Sequence, residues 1–287
     1  MIRASCNGQN RWAVLMSRTS KPKRLPSTVI SARASISTIA RNRTGKGGEL
    51  ATSNQKGSDS SNARMSDYYE DRLSAERLRE CYEIAPPRIR RYLNAETGFV
   101  SKRIHGSRRV LELGCGYGRA MKPVVVHVKL AVGCDTSRRS LRFAKSYLHS
   151  HRSIGLVCAN ASYLPFRPGI FDAVFCIQNG ISAFGVNRRQ LVAEAIRVTK
   201  DRGQILFSSY SQRIWEERLA WFRAQSKAGL VGKIDEAATG HGTIVCKDGF
   251  RATTVSRAEF KRLFSDAGEN PRIEEIDDSS LFCLVRK

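Results

Sequence analysis

The chain has 287 residues, 41% of them hydrophobic, which is enough for one sizeable core. No apolar run approaches the roughly 18 residues that a membrane span needs, so no transmembrane segment is predicted. The net charge of +23 is uneven, because residues 1–64 hold 12 Lys/Arg and two acids while the remainder holds 37 and 24. A basic surface suits nucleic acid, anionic lipid or an acidic ligand, but no basic stripe interleaved with aromatic residues is visible.

Residues 1–64 differ in composition from the rest of the chain. They are rich in Ser, Arg, Asn, Thr and Gly and lack a sustained apolar face, which predicts a disordered basic extension. An Arg- and Ser-rich, acid-poor leader is also typical of an organelle transit segment, for example a mitochondrial one. Alternatively, Met65 is the true start and the protein is cytoplasmic, because structured-looking sequence begins directly after it.

The predicted elements begin with a helical cap at residues 66–105. Apolar residues recur at helical spacing in "SDYYEDRLSAERLRECYEIA", and Pro86 and Pro87 suit a stop followed by a new helix. Short apolar runs then alternate with amphipathic segments, which predicts parallel strands joined by crossover helices in an open α/β sheet. The strand runs are "RVLEL", "LAVGCD", "IGLVCAN", "FDAVFCIQ" and "QILFSSY", and the helical segments are "RAMKPVVVHV", "SRRSLRFAKSYLHSH" and "RRQLVAEAIRVTK".

The pattern changes after the fifth strand run. Residues 211–254 are predicted to form an inserted lid, made of the amphipathic helix "SQRIWEERLAWFRAQSKAG" and a hairpin that turns at Asp248-Gly249. Ser256 and Glu259 have the spacing of a capping box, so a helix is predicted to follow. The runs "RIEEIDD" and "LFCLVRK" predict two closing strands.

The eight cysteines give no metal-site pattern. None forms a CxxC pair, and none lies at metal-ligand spacing with a histidine. We therefore predict no metal, and interpret the cysteines of the strand-like runs as small buried hydrophobes in a reducing compartment. These are Cys115, Cys134, Cys158 and Cys176.

The segment "RRVLELGCGYGRAM", residues 108–121, has glycines at every second position after a strand. Gly114 permits a tight turn, Gly116 lets the backbone approach a ligand, and Gly118 lets the next helix start near the sheet. The spacing misses the dinucleotide fingerprint G-x-G-x-x-G, and no P-loop lysine follows. Glu112 before the loop would repel a pyrophosphate, whereas it suits a ligand that carries an ammonium or sulfonium group.

"VLELGCGYGRA" resembles the first motif of the class I S-adenosylmethionine-dependent methyltransferases, typically E/D-x-G-x-G-x-G. "VGCDTS", "CANASYLPF", "FDAVFCIQNG" and "RVTKDRGQILFSSY" resemble the family's later motifs in the expected order, so that the resemblance covers residues 66–287. It implies a Rossmann-like, seven-stranded, mostly parallel sheet with flanking helices and an antiparallel last strand. It also implies S-adenosyl-L-methionine as the cofactor, bound within a methyltransferase domain at residues 65–287.

The resemblance assigns the cofactor's contacts to particular positions. Asp135 would hold the two ribose hydroxyls, since a carboxylate can accept both protons. Asn160 stands where the family commonly has Asp, and its amide oxygen can still accept from the adenine amino group. The complete predicted cofactor set is Glu112, Gly114, Cys115, Gly116, Gly118, Asp135, Thr136, Asn160, Ala161, Ile177 and Gln178.

The acceptor site is predicted from three segments. Gln178 and Asn179 follow the fourth strand, where relatives often carry substrate or catalytic contacts, and His241 in the insert is a possible base. The predicted substrate contacts are Tyr68, Tyr69, Tyr82, Asn179 and Trp215, although helix packing explains the aromatic residues equally well.

The sequence therefore predicts a methyltransferase that acts on a small-molecule acceptor by in-line displacement. Signatures for adenine-amino and cytosine-C5 methylation are absent, and no separate RNA-binding module is visible. An RNA or protein methyltransferase that uses the basic surface, and a non-catalytic S-adenosylmethionine-binding protein, stay open as alternatives. The sequence does not indicate the oligomeric state.

Overall fold

The computed structural model describes residues 68–287; the predicted extension at 1–64 and the question of Met65 lie outside the described residues. The order of the described elements alternates as the sequence predicts. The strands are β1 (Arg109–Leu113), β2 (Leu130–Asp135), β3 (Ile154–Cys158), β4 (Phe171–Cys176), β5 (Thr199–Tyr210), β6 (Ile244–Val245), β7 (Arg251–Ala252), β8 (Arg272–Ile276) and β9 (Ser280–Arg286). The helices are α1 (Ala75–Glu83), α2 (Pro87–Ile104), α3 (Met121–Val124), α4 (Arg138–Tyr147), α5 (Gly180–Ala183), α6 (Arg188–Val198), α7 (Trp215–Lys227) and α8 (Arg257–Ser265).

Seven strands form one sheet in the order β3-β2-β1-β4-β5-β9-β8. The first five of these are parallel, and β9 runs antiparallel to both β5 and β8. The order reverses direction between β1 and β4, so that the carboxyl ends of these two strands flank a crevice at the switch point. The predicted Rossmann-like sheet with an antiparallel last strand is confirmed.

The apolar strand runs are explained by burial on both faces of the sheet. Along β1, Val110 packs into one hydrophobic cluster with α2 and α3, and Leu111 packs into another with α6 and α8. Both side chains are fully buried. Parallel strands that carry helices on both faces are mostly apolar, which is why the consecutive residues Val110 and Leu111 are both apolar.

A third hydrophobic cluster joins α1 and the start of α2 to the segment between β5 and α8. Tyr92 of α2, Trp221 of α7 and Phe250 of the hairpin are buried in it. The hairpin strands β6 and β7 pair antiparallel around Gly249, whose φ is +95°. This confirms the predicted turn at Asp248-Gly249, since glycine adopts a positive φ without steric cost.

Several predicted boundaries need correction. The helix expected over "RAMKPVVVHV" is limited to α3 and a 3-10 turn at Val125–His127, because β-branched residues and Pro123 disfavour a longer helix. The first helical region is interrupted before Ser74, the N-cap of α1. Strand β5 begins at Thr199 rather than Gln204.

Candidate active site

A cavity of about 250 Å³ opens at the carboxyl ends of the parallel strands, between the sheet and the third cluster. The turn after β1, the ends of β2, β3 and β4, α1 and α7 all contribute to its wall. Among the predicted cofactor residues, the wall includes Glu112, Gly114, Cys115, Gly116, Asp135, Thr136, Asn160, Ala161, Ile177 and Gln178. The predicted cofactor residues, apart from one glycine, are therefore brought together around a single cavity.

The glycine that is not in the wall is Gly118. Its φ is +86°, and a Cβ there would collide with Leu148 Cδ1. Leu148 follows α4 and is buried. The structure thus gives Gly118 a packing role between the turn and α4 rather than a place on the cavity surface, and its inclusion in the cofactor set stays a prediction.

The backbone of Gly116 is hydrogen-bonded to the side-chain carboxylate of Asp135. The Gly116 amide donates to Asp135 Oδ2 at 2.8 Å, and the Ser137 amide donates to Oδ1 at 2.8 Å. Burial raises the pKa of Asp135, while these two amide hydrogen bonds lower it. The two hydrogen bonds fix the carboxylate at the end of β2 and still leave lone pairs on both oxygens for a ligand.

Glu112 is a buried carboxylate without a hydrogen-bond partner at Oε2 within the described chain. Burial raises its pKa to about 8, and the nearby Arg119 guanidinium opposes this increase. Arg119 also lines the cavity, and its Nε and Nη2 atoms are buried with no partner among residues 68–287. Arg119 is therefore not held in an ion pair with the described residues. Instead, its guanidinium stacks on the Tyr82 ring, 4.8 Å from the ring centroid.

A buried carboxyl group and a buried guanidinium without hydrogen-bond partners are costly, so a ligand that supplies both a cation and an anion would relieve both. The wall therefore fits the zwitterionic amino-acid end of S-adenosylmethionine.

Asn160 is less available to the adenine amino group than expected, because its Oδ1 already accepts from the Ser162 backbone amide at 2.8 Å.

The predicted acceptor residues divide into two groups. Tyr69, Tyr82 and Gln178 line the cavity. Gln178 has a left-handed φ of 56°. Its backbone amide donates to Oε2 of the buried Glu96 at 2.8 Å, and this bond holds the turn in place. The side-chain amide of Gln178 makes no hydrogen bond to any other part of the described chain.

The remaining acceptor candidates lie elsewhere. Asn179 is buried, donates to Thr253 O at 2.6 Å and accepts from Ser209 Oγ at 2.8 Å, so its side chain joins the turn to β5 and the insert. Tyr68 donates to Asp248 and Trp215 packs against the third cluster. His241 is exposed in a turn of the insert, away from the cavity wall. These four positions lie outside the described cavity wall, and their role in binding an acceptor stays a prediction.

Sequence reasoning missed part of the wall. Tyr210 ends β5, and Gln225 lies four residues after Trp221 on the same side of α7. Trp221 and Phe222 both pack in the third cluster and line the cavity. The helical spacing of Trp221 and Gln225 was the available signal.

No metal-binding cluster is evident: residues 68–287 contain no group of three or more His, Cys, Asp or Glu side chains that could hold an ion. The seven cysteines of this range are free thiols. Cys158 is exposed, against the expectation that it is buried, because it ends the edge strand β3. None of the described helices is long and apolar enough to cross a membrane.

Residues 110–203 match a family model described as a methyltransferase domain. The match runs from β1 through the glycine turn to the first part of β5, so this segment is similar to a methyltransferase domain. The sheet is similar to that of a SAM-dependent methyltransferase from Aquifex aeolicus, with a TM-score of 0.51, 12% identity and coverage of 72% of this chain and 96% of that one.

Two relatives show how far the sequence similarity extends. An uncharacterized protein of Methanocaldococcus jannaschii is 30% identical over 115 residues, which are 38% of this chain and 51% of the relative. The malonyl-[acyl-carrier protein] O-methyltransferase of Legionella pneumophila is 31% identical over 131 residues, 45% of each chain. The matched region spans about half the length of these relatives.

Proposed function

We propose that the protein transfers a methyl group from S-adenosylmethionine to a small-molecule acceptor. The observation that carries the proposal is the cavity wall, which places the glycine turn, Asp135 and the unpartnered charges of Glu112 and Arg119 together. Glu112 would accept a hydrogen bond from the ammonium group of the cofactor, Arg119 would donate to its carboxylate, and Asp135 would accept from the ribose hydroxyls.

The cofactor supplies a methyl group on a positively charged sulfur. In the reaction, the acceptor's lone pair forms a bond to the methyl carbon, and the electron pair of the broken carbon–sulfur bond returns to sulfur. The protein's contribution is alignment and exclusion of water, since charge disperses along the reacting axis. Tyr69, Tyr82 and Phe222 provide the apolar wall that excludes water on the side away from the sheet.

We also assign a lid function to the insert at residues 211–254. Its helix α7 contributes Trp221, Phe222 and Gln225 to the cavity wall. Trp221 Nε1 donates to Cys81 O at 2.8 Å and thereby joins the insert to α1. A wall built from these two separate segments encloses the acceptor more completely than the sheet alone, which favours a small molecule over a polymer.

Calorimetric titration of the full chain with S-adenosylmethionine tests the cofactor assignment. We expect micromolar binding that Asp135→Ala weakens by at least tenfold, because the ribose contacts and the Gly116 contact are both lost. Asp201→Ala is the matched control, since Asp201 is exposed and outside the cavity wall. A folded protein that does not bind the cofactor would contradict the proposal, and transfer of a labelled methyl group to an acceptor separates an enzyme from a non-catalytic binder.

A further inference from the structure

The part of the cavity beyond the cofactor contacts is lined by neutral side chains. The carboxylates of the cavity wall are at the cofactor end: Glu112 lies within β1, Asp135 ends β2, and Glu70 lies close enough to Asp135 to raise its pKa. The wall residues that α1, β5 and α7 contribute, together with Tyr69 and Leu73 of the segment before α1, are uncharged. These residues are Tyr69, Leu73, Leu78, Cys81, Tyr82, Tyr210, Trp221, Phe222 and Gln225; we call them the acceptor chamber.

The acceptor chamber holds no group suited to remove a proton. Among its members and the rest of the described wall there is no histidine. Burial raises the pKa of the Cys81 thiol to about 12 and holds the pKa of the Tyr69 and Tyr82 phenols above its ordinary value. These groups therefore remain protonated near neutral pH, and an acceptor atom must be nucleophilic without the help of a base.

Gln225 is the polar exception within this neutral chamber. Its side chain is 2% exposed and lines the cavity. Its carboxamide makes no hydrogen bond to the described part of the chain, and its backbone carbonyl accepts from the Leu230 amide at 2.9 Å. The carboxamide atoms retain some exposure, and because Gln225 lines the cavity, a ligand with a matching donor and acceptor can bond them there.

The chamber walls are held in a fixed arrangement before any acceptor binds. The Tyr82 and Trp221 ring centroids are 6.1 Å apart, and those of Tyr92 and Tyr210 are 5.0 Å apart. The buried Arg218 guanidinium lies 4.3 Å from the Tyr210 ring centroid and donates to Gly242 O and Ala252 O, so it supports the wall from behind. Flat aromatic surfaces in fixed positions favour a planar ligand.

We propose that the acceptor is an uncharged, planar aromatic or heteroaromatic molecule, anchored by Gln225 through a polar group that both donates and accepts hydrogen bonds. The inference rests on the proposed function, because it assigns Glu112, Asp135 and Arg119 to the cofactor and leaves the chamber neutral. The methylated atom is then one with an available lone pair or electron-rich π system, such as an amine, a ring nitrogen or an activated carbon. Any proton on that atom leaves to water after the methyl bond has formed.

The test compares indole-3-carboxamide with indole-3-carboxylate, which share a ring and differ in charge. Both are titrated calorimetrically into the full chain saturated with S-adenosylhomocysteine. We expect the carboxamide to bind at least about tenfold more tightly than the carboxylate. The inference is overturned if the two compounds bind equally, if the carboxylate binds more tightly, or if neither compound binds. Tighter binding of the carboxylate would assign Arg119 to the acceptor.

Gln225→Leu and Gln225→Met test the anchor, with Gln212→Leu as the control because Gln212 is exposed outside the cavity. We expect both Gln225 variants to weaken carboxamide binding about three- to tenfold and to leave the affinity for S-adenosylhomocysteine unchanged. Unchanged carboxamide binding in a folded variant overturns the role of Gln225. Failure of the wild-type chain to bind S-adenosylhomocysteine contradicts the proposed function itself, so the two failures are distinguishable.

Discussion

The phenol of Tyr68 donates a 2.8 Å hydrogen bond to Asp248 Oδ2, joining segments that are 180 residues apart in sequence. Arg72 also donates to Asp248 Oδ2, at 3.1 Å. Asp248 lies at the turn of the insert hairpin, and the neighbour of Tyr68, Tyr69, lines the cavity. This contact therefore holds the segment before α1 against the insert at the edge of the cavity.

Tyr68→Phe removes the hydrogen bond and retains the ring, which packs against Phe250 with a centroid distance of 4.9 Å. We expect a loss of about 1 kcal/mol in the free energy of unfolding and faster dissociation of S-adenosylhomocysteine, because the two wall segments separate more easily. Chemical denaturation and stopped-flow fluorescence measure these effects. Tyr163→Phe is the control, since Tyr163 is 73% exposed; equal behaviour of the two variants would contradict the expectation.

Glu112 makes stability depend on pH in the ligand-free protein. Its pKa is about 8 when folded, against an ordinary value of 4.5, so the folded state binds more protons than the unfolded state between these values. Stability from this group is therefore lost as pH rises from about 4.5 to 8, by at most about 1.4 kcal/mol per pH unit. Urea denaturation at several pH values should show a smaller loss in Glu112→Gln than in the wild type, because Glu96 and Asp135, whose pKa values burial also raises, remain in both.

Cofactor affinity should have the opposite dependence. An ionised Glu112 attracts the ammonium group, so binding of S-adenosylmethionine releases the proton and strengthens as pH rises toward about 8. Calorimetry in buffers of different ionisation enthalpy measures the released proton. Glu112→Gln should bind more weakly at pH 8 and show no proton release from this site; an unchanged proton release would assign it to another group.

Gly118→Ala should act on folding rather than on binding. The backbone has a left-handed φ of +86°, and the new Cβ collides with the buried Leu148, so we expect a loss of about 1–3 kcal/mol in the free energy of unfolding. The cofactor affinity of the folded fraction should change little, because Gly118 is outside the cavity wall. Thermal unfolding and calorimetry separate these effects. Gly98→Ala is the control, since a Cβ there has open space, and a selective loss of cofactor binding in Gly118→Ala would return this glycine to the cofactor site.

Local sequence patterns predict the sheet and the cofactor end of the cavity because both depend on contiguous segments. "RVLEL" and "LAVGCD" coincide with β1 and β2, and Gly116 and Asp135 meet at the ends of these neighbouring strands. The acceptor end depends on contacts between distant segments, such as Trp221 with α1. Periodicity can place Trp221 and Gln225 on one helix face, but only the tertiary packing decides whether that face covers a cavity or a core.

Asn179 and His241 illustrate the same limit. Both are residue types suited to a site, and both occur in predicted turns. The structure directs the Asn179 side chain to Ser209 and Thr253 and places His241 in solvent. The direction of a side chain at a turn depends on the backbone dihedrals there, such as φ of 60° at Asn179, which residue type alone does not specify.

Arg119→Met tests whether this guanidinium binds the amino-acid end of the cofactor. S-adenosylhomocysteine carries that end, whereas 5′-methylthioadenosine has the same adenosine and a thioether without it. We expect Arg119→Met to weaken S-adenosylhomocysteine binding by about 10- to 100-fold, the range for a hydrogen bond to a charged group, and to leave methylthioadenosine binding nearly unchanged. Arg139→Met is the control, because Arg139 pairs with Glu76 on the surface. If the affinity for both ligands falls equally, Arg119 acts through its stacking on Tyr82 and the shape of the cavity rather than through the carboxylate of the cofactor.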